Sequence, residues 1–318
     1  MSAKRATMRD VAAASGVSPA TVSFVLNGVA GQTISPATRE RVERAARDLA
    51  YVPHGIAKAL REGTSRIVLL TLDPAFGGAG IEDYIRGLDT ELARHGHVLL
   101  VRHGRTTPGS QAAMIDAVSP RAVIDLAAIY TSGEPTADDG GWVDGLPAHT
   151  AVQLRHLAEA GHRRVAMVLP DDAALARLAG VRLQSAREAA PALGLEPIES
   201  LTVPADGPAD VPADVPGTVS VLAAFLAAHP HITALAAFDD RVALRLLAAL
   251  HELGRRIPQD LALIGFNDTE YGAVSTPPLT SVHIDAESFG RLAARRALGL
   301  DAADVVPAPA RVIRRASA

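Results

Sequence analysis

The chain has 318 residues, of which 48% are hydrophobic, and it contains no cysteine. This length and apolar content predict two or three folded domains, and the absence of thiols excludes disulfides and cysteine-bound metals. Residues 1–66 carry ten Lys or Arg against five Asp or Glu, a net of +5, which leaves 21 against 30, a net of −9, for the rest. A small basic head on an acidic body is typical of a DNA-binding module attached to a part that does not touch DNA.

Two short helices are predicted near the N-terminus. The first covers Met8–Ser15, opens with Thr7 as the N-cap of a capping box, and ends at Gly16. The second covers about 19–27 with Ser18 as its N-cap and a proline at its first position. Two short helices joined by a tight turn predict a helix-turn-helix, whose second helix enters the major groove of DNA.

Phe24 lies on the second helix, away from the side that Val22 and its apolar neighbours form. Against a thymine methyl group or a base edge, an exposed Phe would bury apolar area. The alternative is that it packs on the third predicted helix, 35–51, or on the loop over 29–34. Small polar side chains on this helix are suited to phosphate contacts or, alternatively, form ordinary solvated surface. They are Thr21, Ser23 and Asn27.

The segments DVAxxxGVSxxTVSxVLN and YxPxxxAxxL resemble the lactose-repressor (LacI/GalR) family of bacterial transcription regulators. The resemblance implies base reading by the second helix and a hinge helix over 56–61 that enters the minor groove. So short a helix would fold only when paired with its dimer mate on DNA. The implied base-reading residues are Pro19, Ala20 and Phe24, the phosphate contacts are Thr7, Ser18, Thr21, Ser23 and Asn27, and the hinge contacts are Ala57, Lys58 and Leu60.

Two features of the head depart from the family. Many members have Arg where this chain has Phe24, and the loop between Asn27 and Ser35 is about two residues longer than usual. The alternative for the hinge residue Leu60 is packing against the body of the protein. Its basic neighbours Lys58 and Arg61 favour the minor-groove role.

From residue 67 onward, short aliphatic runs alternate with helical stretches, which predicts parallel sheets flanked by helices. The predicted strands are Ile67–Leu72, Val98–Val101, Ala122–Ile129, Val165–Leu169, Ala234–Ala237 and Leu261–Phe266. The predicted helices are 81–94, 111–118, 173–193 and 240–253. The resemblance adds an α/β core of two doubly wound parallel-sheet lobes, similar to periplasmic sugar-binding proteins, behind an all-α helix-turn-helix domain.

The resemblance also divides the chain. It implies a helix-turn-helix domain over 1–53, a hinge over 54–65 and a two-lobed core over 66–318. The N-lobe would contain about 66–155 plus 284–300, and the C-lobe about 156–283 plus 301–318. The stretch from Ile129 to His149 is polar and rich in Gly and Pro where the family has a helix and a strand. The N-lobe is therefore expected to lack about one helix–strand unit.

An effector site between the lobes is implied by the same resemblance. Arg177 and Asp240 match effector-contacting positions, and a guanidinium and a carboxylate can fix sugar hydroxyls or a ligand carboxylate. The alternatives are a surface arginine at 177 and a helix N-cap at 240. Phe76 could stack on a sugar ring. Asp239 stands where the family usually has Asn, and Asn267 where it has Asp.

These features predict a cytoplasmic, homodimeric regulator, in this family most often a repressor, that binds a pseudo-palindromic operator under the control of a sugar or related metabolite. The N-terminus has no apolar core of signal-peptide length, and no aliphatic run near it could span a bilayer. No catalytic, metal or cofactor motif was recognised. The rivals are a solute-binding protein, which needs an export signal, and a nucleotide-dependent enzyme, which needs a phosphate loop.

Overall fold

The computed structural model describes residues 6–26, 34–49, 51, 65–73, 79–104, 107–126, 128, 139–204 and 215–318. Five predicted site residues lie outside these ranges: Asn27, Ala57, Lys58, Leu60 and Phe76. The chain separates into two compact units, Met1–Ser65 and Arg66–Ala318. Within the described ranges, no helix combines the length and the apolar composition that crossing a membrane requires.

In its described residues the first unit has three helices: α1 (Met8–Ser15), α2 (Pro19–Leu26) and α3 (Pro36–Asp48). Their apolar sides form one small core, to which α1 contributes Val11 and α3 contributes Val42. The capping box that opens α1 is present, because Thr7 N–H donates to Asp10 Oδ2 at 2.7 Å and Asp10 N–H donates to Thr7 Oγ1 at 3.4 Å. The predicted helices are confirmed, although α3 ends at Asp48, three residues before the predicted end.

The second unit contains two sheets. In the described residues the first sheet has three parallel strands in the order β2-β1-β3, and the second has six strands in the order β5-β4-β6-β7-β8-β9, of which only β9 is antiparallel. The strands are β1 (Ile67–Leu72), β2 (Val98–His103), β3 (Ala122–Asp125), β4 (Val165–Asp171), β5 (Glu199–Pro204), β6 (Ala234–Ala237), β7 (Ala262–Phe266), β8 (Thr280–His283) and β9 (Arg311–Ile313). Continuous aliphatic runs form the central strands because helices cover both of their faces.

Helices follow most of these strands, as the alternating pattern predicts. They are α4 (Ala79–Arg94), α5 (Pro108–Val118), α6 (Leu146–Glu159), α7 (Ala176–Ala189), α8 (Val215–Ala228), α9 (Asp240–Glu252), α10 (Glu270–Val274) and α11 (Ala286–Leu298). The predicted helix over 173–193 is in fact α7 followed by a short 3₁₀ turn, Pro191–Leu193. The strand predicted to end at Ile129 ends at Asp125.

The two lobes exchange segments of chain. Helix α11 packs on α4 of the first lobe, where a β-carbon at Gly87 would lie 2.0 Å from Glu287 O and one at Gly290 would lie 2.1 Å from Tyr84 O. The backbones therefore touch, and only glycine fits. Helix α6 packs on α7 and on the second sheet. The lobe boundary predicted at about residue 155 falls inside α6 and stays a prediction.

A buried carboxylate also joins α4 to α11. Glu91 accepts a hydrogen bond from Arg295 Nε at 2.6 Å, and the cations of Arg94 and Arg291 lie 3.1 and 3.5 Å from its other oxygen. Burial raises the pKa of Glu91, but the hydrogen bond and charge of Arg295, with the charges of Arg291 and Arg94, outweigh burial, so the net shift is downward. The carboxylate is therefore charged at neutral pH and holds the two helices together.

Candidate DNA-binding and effector sites

The second helix of the first unit presents two different sides. Val22 and Val25 are buried against α1 and α3, while Pro19 and Ala20 are exposed. Phe24 is half-buried and is not among the partly buried residues that pack on this core, which in the described part of the unit are Ala6, Met8, Val17, Leu26 and Ile34. The three residues predicted to read bases therefore lie away from the packed side of α2. The alternative of packing on α3 or on the loop over 29–34 stays open, because residues 29–33 lie outside the described ranges.

Hydroxyl groups cap the N-terminus of α2. Thr21 N–H donates to Ser18 Oγ at 3.1 Å, and the two hydroxyl oxygens are 2.9 Å apart. The same sequence, SPAT, builds an equivalent cap on α3, where the Ser35–Thr38 distances are 3.2 and 2.9 Å. Because the first N–H groups of a helix favour phosphate oxygens, the predicted phosphate contacts at Ser18 and Thr21 stand at a suitable position. Thr7 has the corresponding position on α1.

The candidate effector site lies where the parallel strands of the second sheet end. Asp239 follows β6, Asn267 follows β7, and Arg177 lies in the first turn of α7, after β4. In an open α/β sheet, ligands bind outside the carboxyl ends of the strands. Arg177 is exposed. It shares no hydrogen bond or ion pair with Asp240 among the residues that the structure describes, so the two predicted effector contacts do not meet directly.

Asp240 lies inside the protein. Its exposed fraction is 0%. Its Oδ1 accepts from Phe266 N–H at 2.8 Å and from Ser281 Oγ at 2.6 Å, and its Oδ2 accepts from Thr269 N–H at 2.6 Å. Burial raises the pKa of this carboxyl, and the hydrogen bonds oppose that shift. The Asp240 side chain is therefore buried beneath the strand ends, and its contact with an effector stays a prediction. The N-cap alternative is wrong, because Asp239 caps α9 through Val242 N–H at 2.8 Å.

Arg182 forms a polar centre beneath the strand ends that the sequence did not reveal. Its guanidinium is 1% exposed and donates to Gln153 Oε1 at 2.6 Å and to the carbonyl oxygen of Phe238. Its Cζ lies 3.5 Å from the centroid of the Phe266 ring, a cation–π contact. Gln153 in turn donates to the carbonyl of Ala237 at 2.9 Å. Burial lowers the pKa of Arg182 to about 9, so the group is charged at neutral pH.

His149 extends this polar centre toward the first lobe. The ring is 7% exposed, folds back over Gly145, and meets the Phe289 ring edge-on at a centroid distance of 6.1 Å. Its Nδ1 has no hydrogen-bond partner among the described residues. Burial, and then the charge of Arg182, lowers the pKa of His149 to about 4, so the ring is neutral at pH 7. His149 and Gln153 are four residues apart, beside the buried Leu154, and therefore lie on one face of α6. This spacing was the one sequence signal for the polar centre around Arg182.

A helix-turn-helix unit followed by a core of two mainly parallel sheets combines a DNA-binding module with an α/β fold that binds ligands at its strand ends in other proteins. Comparison with known families agrees on both parts. Residues 7–54 match the bacterial regulatory proteins of the lacI family, and residues 154–318 match the periplasmic binding protein-like domain. The chain belongs to the lacI family of bacterial regulatory proteins. It is therefore a DNA-binding transcription regulator, and members of this family are not enzymes.

Individual relatives support this assignment along nearly the whole chain. The transcriptional regulator CelR of Thermobifida fusca is 30% identical over 92% of this chain and 91% of its own length. The ribose operon repressor of Escherichia coli is 27% identical over 91% of both. Among solved structures, the lac repressor dimer bound to operator and the anti-inducer ONPF has 21% identity, 99% coverage of both chains and a TM-score of 0.73. A CelR–cellobiose complex has 24% identity, 99% and 100% coverage, and a TM-score of 0.58. These structures confirm the predicted fold class.

Proposed function

We propose that this protein is a cytoplasmic, homodimeric repressor that binds a pseudo-palindromic operator under the control of a small-molecule effector. The observation that carries the proposal is the two-sided α2, whose valines pack inward while Pro19, Ala20 and Phe24 are left to read bases. Thr7, Ser18, Thr21, Ser23 and Asn27 would contact phosphates. The hinge residues Ala57, Lys58 and Leu60 would contact the minor groove at the operator centre.

Exposed apolar side chains support the dimer. In the first lobe they lie on the edge strand β2, where Val98 is 60% exposed and Leu100 and Val101 are also exposed. In the second lobe they lie on α10, where Tyr271 is exposed and Val274 is 81% exposed. Apolar groups of this size on both lobes favour burial against a second copy of the chain. Two-fold symmetry of the dimer then requires two similar half-sites in the operator.

Selection of bound duplexes from a random DNA library, at two fixed salt concentrations, tests DNA recognition. The unmodified protein should select a pseudo-palindrome. Phe24→Ala should change the preferred base at one position of each half-site and weaken binding to the original site by roughly tenfold, because a good base contact contributes about 1–3 kcal/mol of discrimination. Leu49→Ala, which removes another exposed apolar side chain of the same unit, should leave the motif unchanged. An unchanged motif with Phe24→Ala would contradict base reading by Phe24.

The proposed effector is a sugar or a related polyhydroxylated metabolite held at the strand ends of the second sheet. Arg177 would bind it, and Phe76, which follows β1, would stack on it. Asp240, the third residue implied by the resemblance, would contribute indirectly. CelR in complex with cellobiose and the name of the ribose operon repressor make cellobiose and ribose the first compounds to test.

Thermal unfolding with these sugars measures the effector role of Arg177. A sugar present at 100 times its Kd should stabilise the protein by about 2.7 kcal/mol. Arg177→Ala should abolish that stabilisation, while Arg187→Ala, an exposed arginine near the other end of α7, should retain it. A sugar that stabilises Arg177→Ala as strongly as the unmodified protein would remove Arg177 from the site.

A further inference from the structure

We propose that Asp240 is a positioning residue: its buried carboxylate clamps the turn that carries Asn267 and holds this turn against the first lobe. Asp240 then shapes the crevice without touching the effector. The proposal deepens the effector role proposed above and rests on it for its functional meaning. The geometric part of the proposal stands on contacts within the second unit alone.

The turn after β7 contains two successive non-glycine residues in the left-handed region. Asn267 has φ of 90° and Asp268 has φ of 48°. Side chains adopt this backbone conformation rarely, and two in succession persist only when their surroundings hold them there. Asp240 accepts hydrogen bonds from the backbone N–H groups of Phe266 and Thr269, which are the residues directly before and after the strained pair. One carboxylate therefore bridges both ends of the strained segment.

Ser281 forms a second layer around this clamp. Its hydroxyl donates to Asp240 Oδ1 at 2.6 Å and accepts from Asp268 N–H at 3.1 Å. The backbone N–H of Asn267 donates to the carbonyl of Val282 at 2.9 Å. The side chain of Asp268 is held in turn by Arg315 at 2.8 Å. The turn is thus tied to β8 and to the C-terminal segment, with Asp240 at the centre of the network.

The site is shaped around a carboxylate. A β-carbon at Gly265 would lie 2.0 Å from Asp240 Oδ1, so only glycine leaves room there. Among the described residues Asp240 forms no ion pair, and its oxygens accept from Phe266 N–H, Thr269 N–H and Ser281 Oγ. A buried polar group persists only with such partners, and an aspartate supplies two acceptor oxygens at the required separation. An asparagine has only one.

The clamped turn contacts the first lobe. A β-carbon at Gly80, in the first turn of α4, would lie 3.4 Å from Asn267 Cγ and 3.4 Å from Trp142 Cζ2. Trp142 is itself stacked on Tyr84 of α4 at a centroid distance of 5.2 Å. Asn267 therefore reaches from the end of the second sheet to the beginning of α4. A change in the turn would alter this contact between the lobes, which is the movement that an effector would exploit.

Trp142 provides the test, since it is the only tryptophan in the chain and is buried. Iodide quenching of its fluorescence would be measured on the full-length protein without DNA or sugar. Asp240→Ala should raise the quenching constant by about threefold or more, because the released turn opens the edge of Trp142 to solvent. Asp240→Asn should give a smaller rise. Asp89→Asn, at an exposed position on α4, is the control for loss of a carboxylate and should leave the quenching constant unchanged.

If Asp240→Ala leaves the iodide quenching constant of Trp142 unchanged, the proposal is overturned. If neither Asp240 variant folds, amide hydrogen exchange of the unmodified protein decides. The clamp predicts that the N–H group of Thr269, which lies outside any strand, exchanges as slowly as those within β7, whereas exchange as fast as in an exposed loop would overturn it. Neither measurement uses DNA or an effector. If these measurements contradict the positioning role of Asp240, the proposed repressor function is unaffected. If no operator is found, the positioning role of Asp240 is unaffected.

Discussion

Replacing Arg182 with alanine is expected to lower the free energy of unfolding by about 3–5 kcal/mol. The change would leave Gln153 Oε1 and the carbonyl of Phe238 as buried acceptors without a donor, at about 1–3 kcal/mol each. It would also remove the cation–π contact with Phe266, which is worth about 2 kcal/mol when desolvated. Relief of the cost of burying the guanidinium offsets part of this loss.

Denaturant unfolding at pH 7 measures the effect of Arg182. Arg187→Ala removes an exposed arginine from the same helix and should change the free energy of unfolding by less than about 0.5 kcal/mol. Arg182→Met, which keeps most of the volume, should fall between the two, because it fills the space but satisfies neither acceptor. A loss below about 1 kcal/mol for Arg182→Ala would show that the polar centre does not stabilise the second lobe.

Local signals in the sequence were sufficient to predict most of the helices and strands. The capping pairs at Thr7 and Ser18 fixed the starts of α1 and α2, because a cap is made by residues three apart. Aliphatic runs fixed β1 and β6 to the residue, because a strand that is covered on both faces needs no polar alternation. The resemblance to a known family then supplied the topology that periodicity could not.

The candidate effector site was less predictable because its geometry depends on long-range contacts. The resemblance predicted Asp240 as an effector contact, but the direction of its side chain is decided by donors at Phe266, Thr269 and Ser281. Arg182 looks like an ordinary helix arginine until Gln153 and Phe238 are brought beside it. A charged residue on a helix is usually solvated, so no local rule marks this one as buried.

The Gly- and Pro-rich stretch before α6 illustrates the same limit. Its polar composition gives no sign that it carries the buried Trp142 and leads into α6, in which His149 is buried. Asp139 organises the turn by accepting from Gly141 N–H at 2.7 Å and from Val143 N–H at 2.8 Å. Gly140, at φ of 79°, lies so close to α11 that a β-carbon would be 2.2 Å from a backbone carbonyl. The segment just before α6 is therefore a tight turn packed on α11.

The stability of the protein is expected to fall as the pH is lowered from about 6.5 to 4, and His149 should be a main cause. Its pKa is lowered from 6.5 to about 4 in the folded protein, first by burial and then by Arg182. Between these values the unfolded chain binds a proton at this residue and the folded chain does not. Stability from the neutral ring is thus complete above pH 6.5 and is lost toward pH 4, by roughly 3 kcal/mol over the whole window.

His149→Leu should flatten this dependence. The variant keeps an apolar group of similar volume against Phe289 and removes the titrating nitrogen, so its free energy of unfolding should change less between pH 6.5 and 4. Some dependence will remain, because burial also lowers the pKa values of His156 and His162. His251→Leu, at an exposed position on α9, is the control and should follow the unmodified protein. If the free energy of unfolding of His149→Leu and of the unmodified protein depended on pH in the same way, the prediction would be wrong. The His149 ring would then accept its proton without disturbing the junction between the lobes.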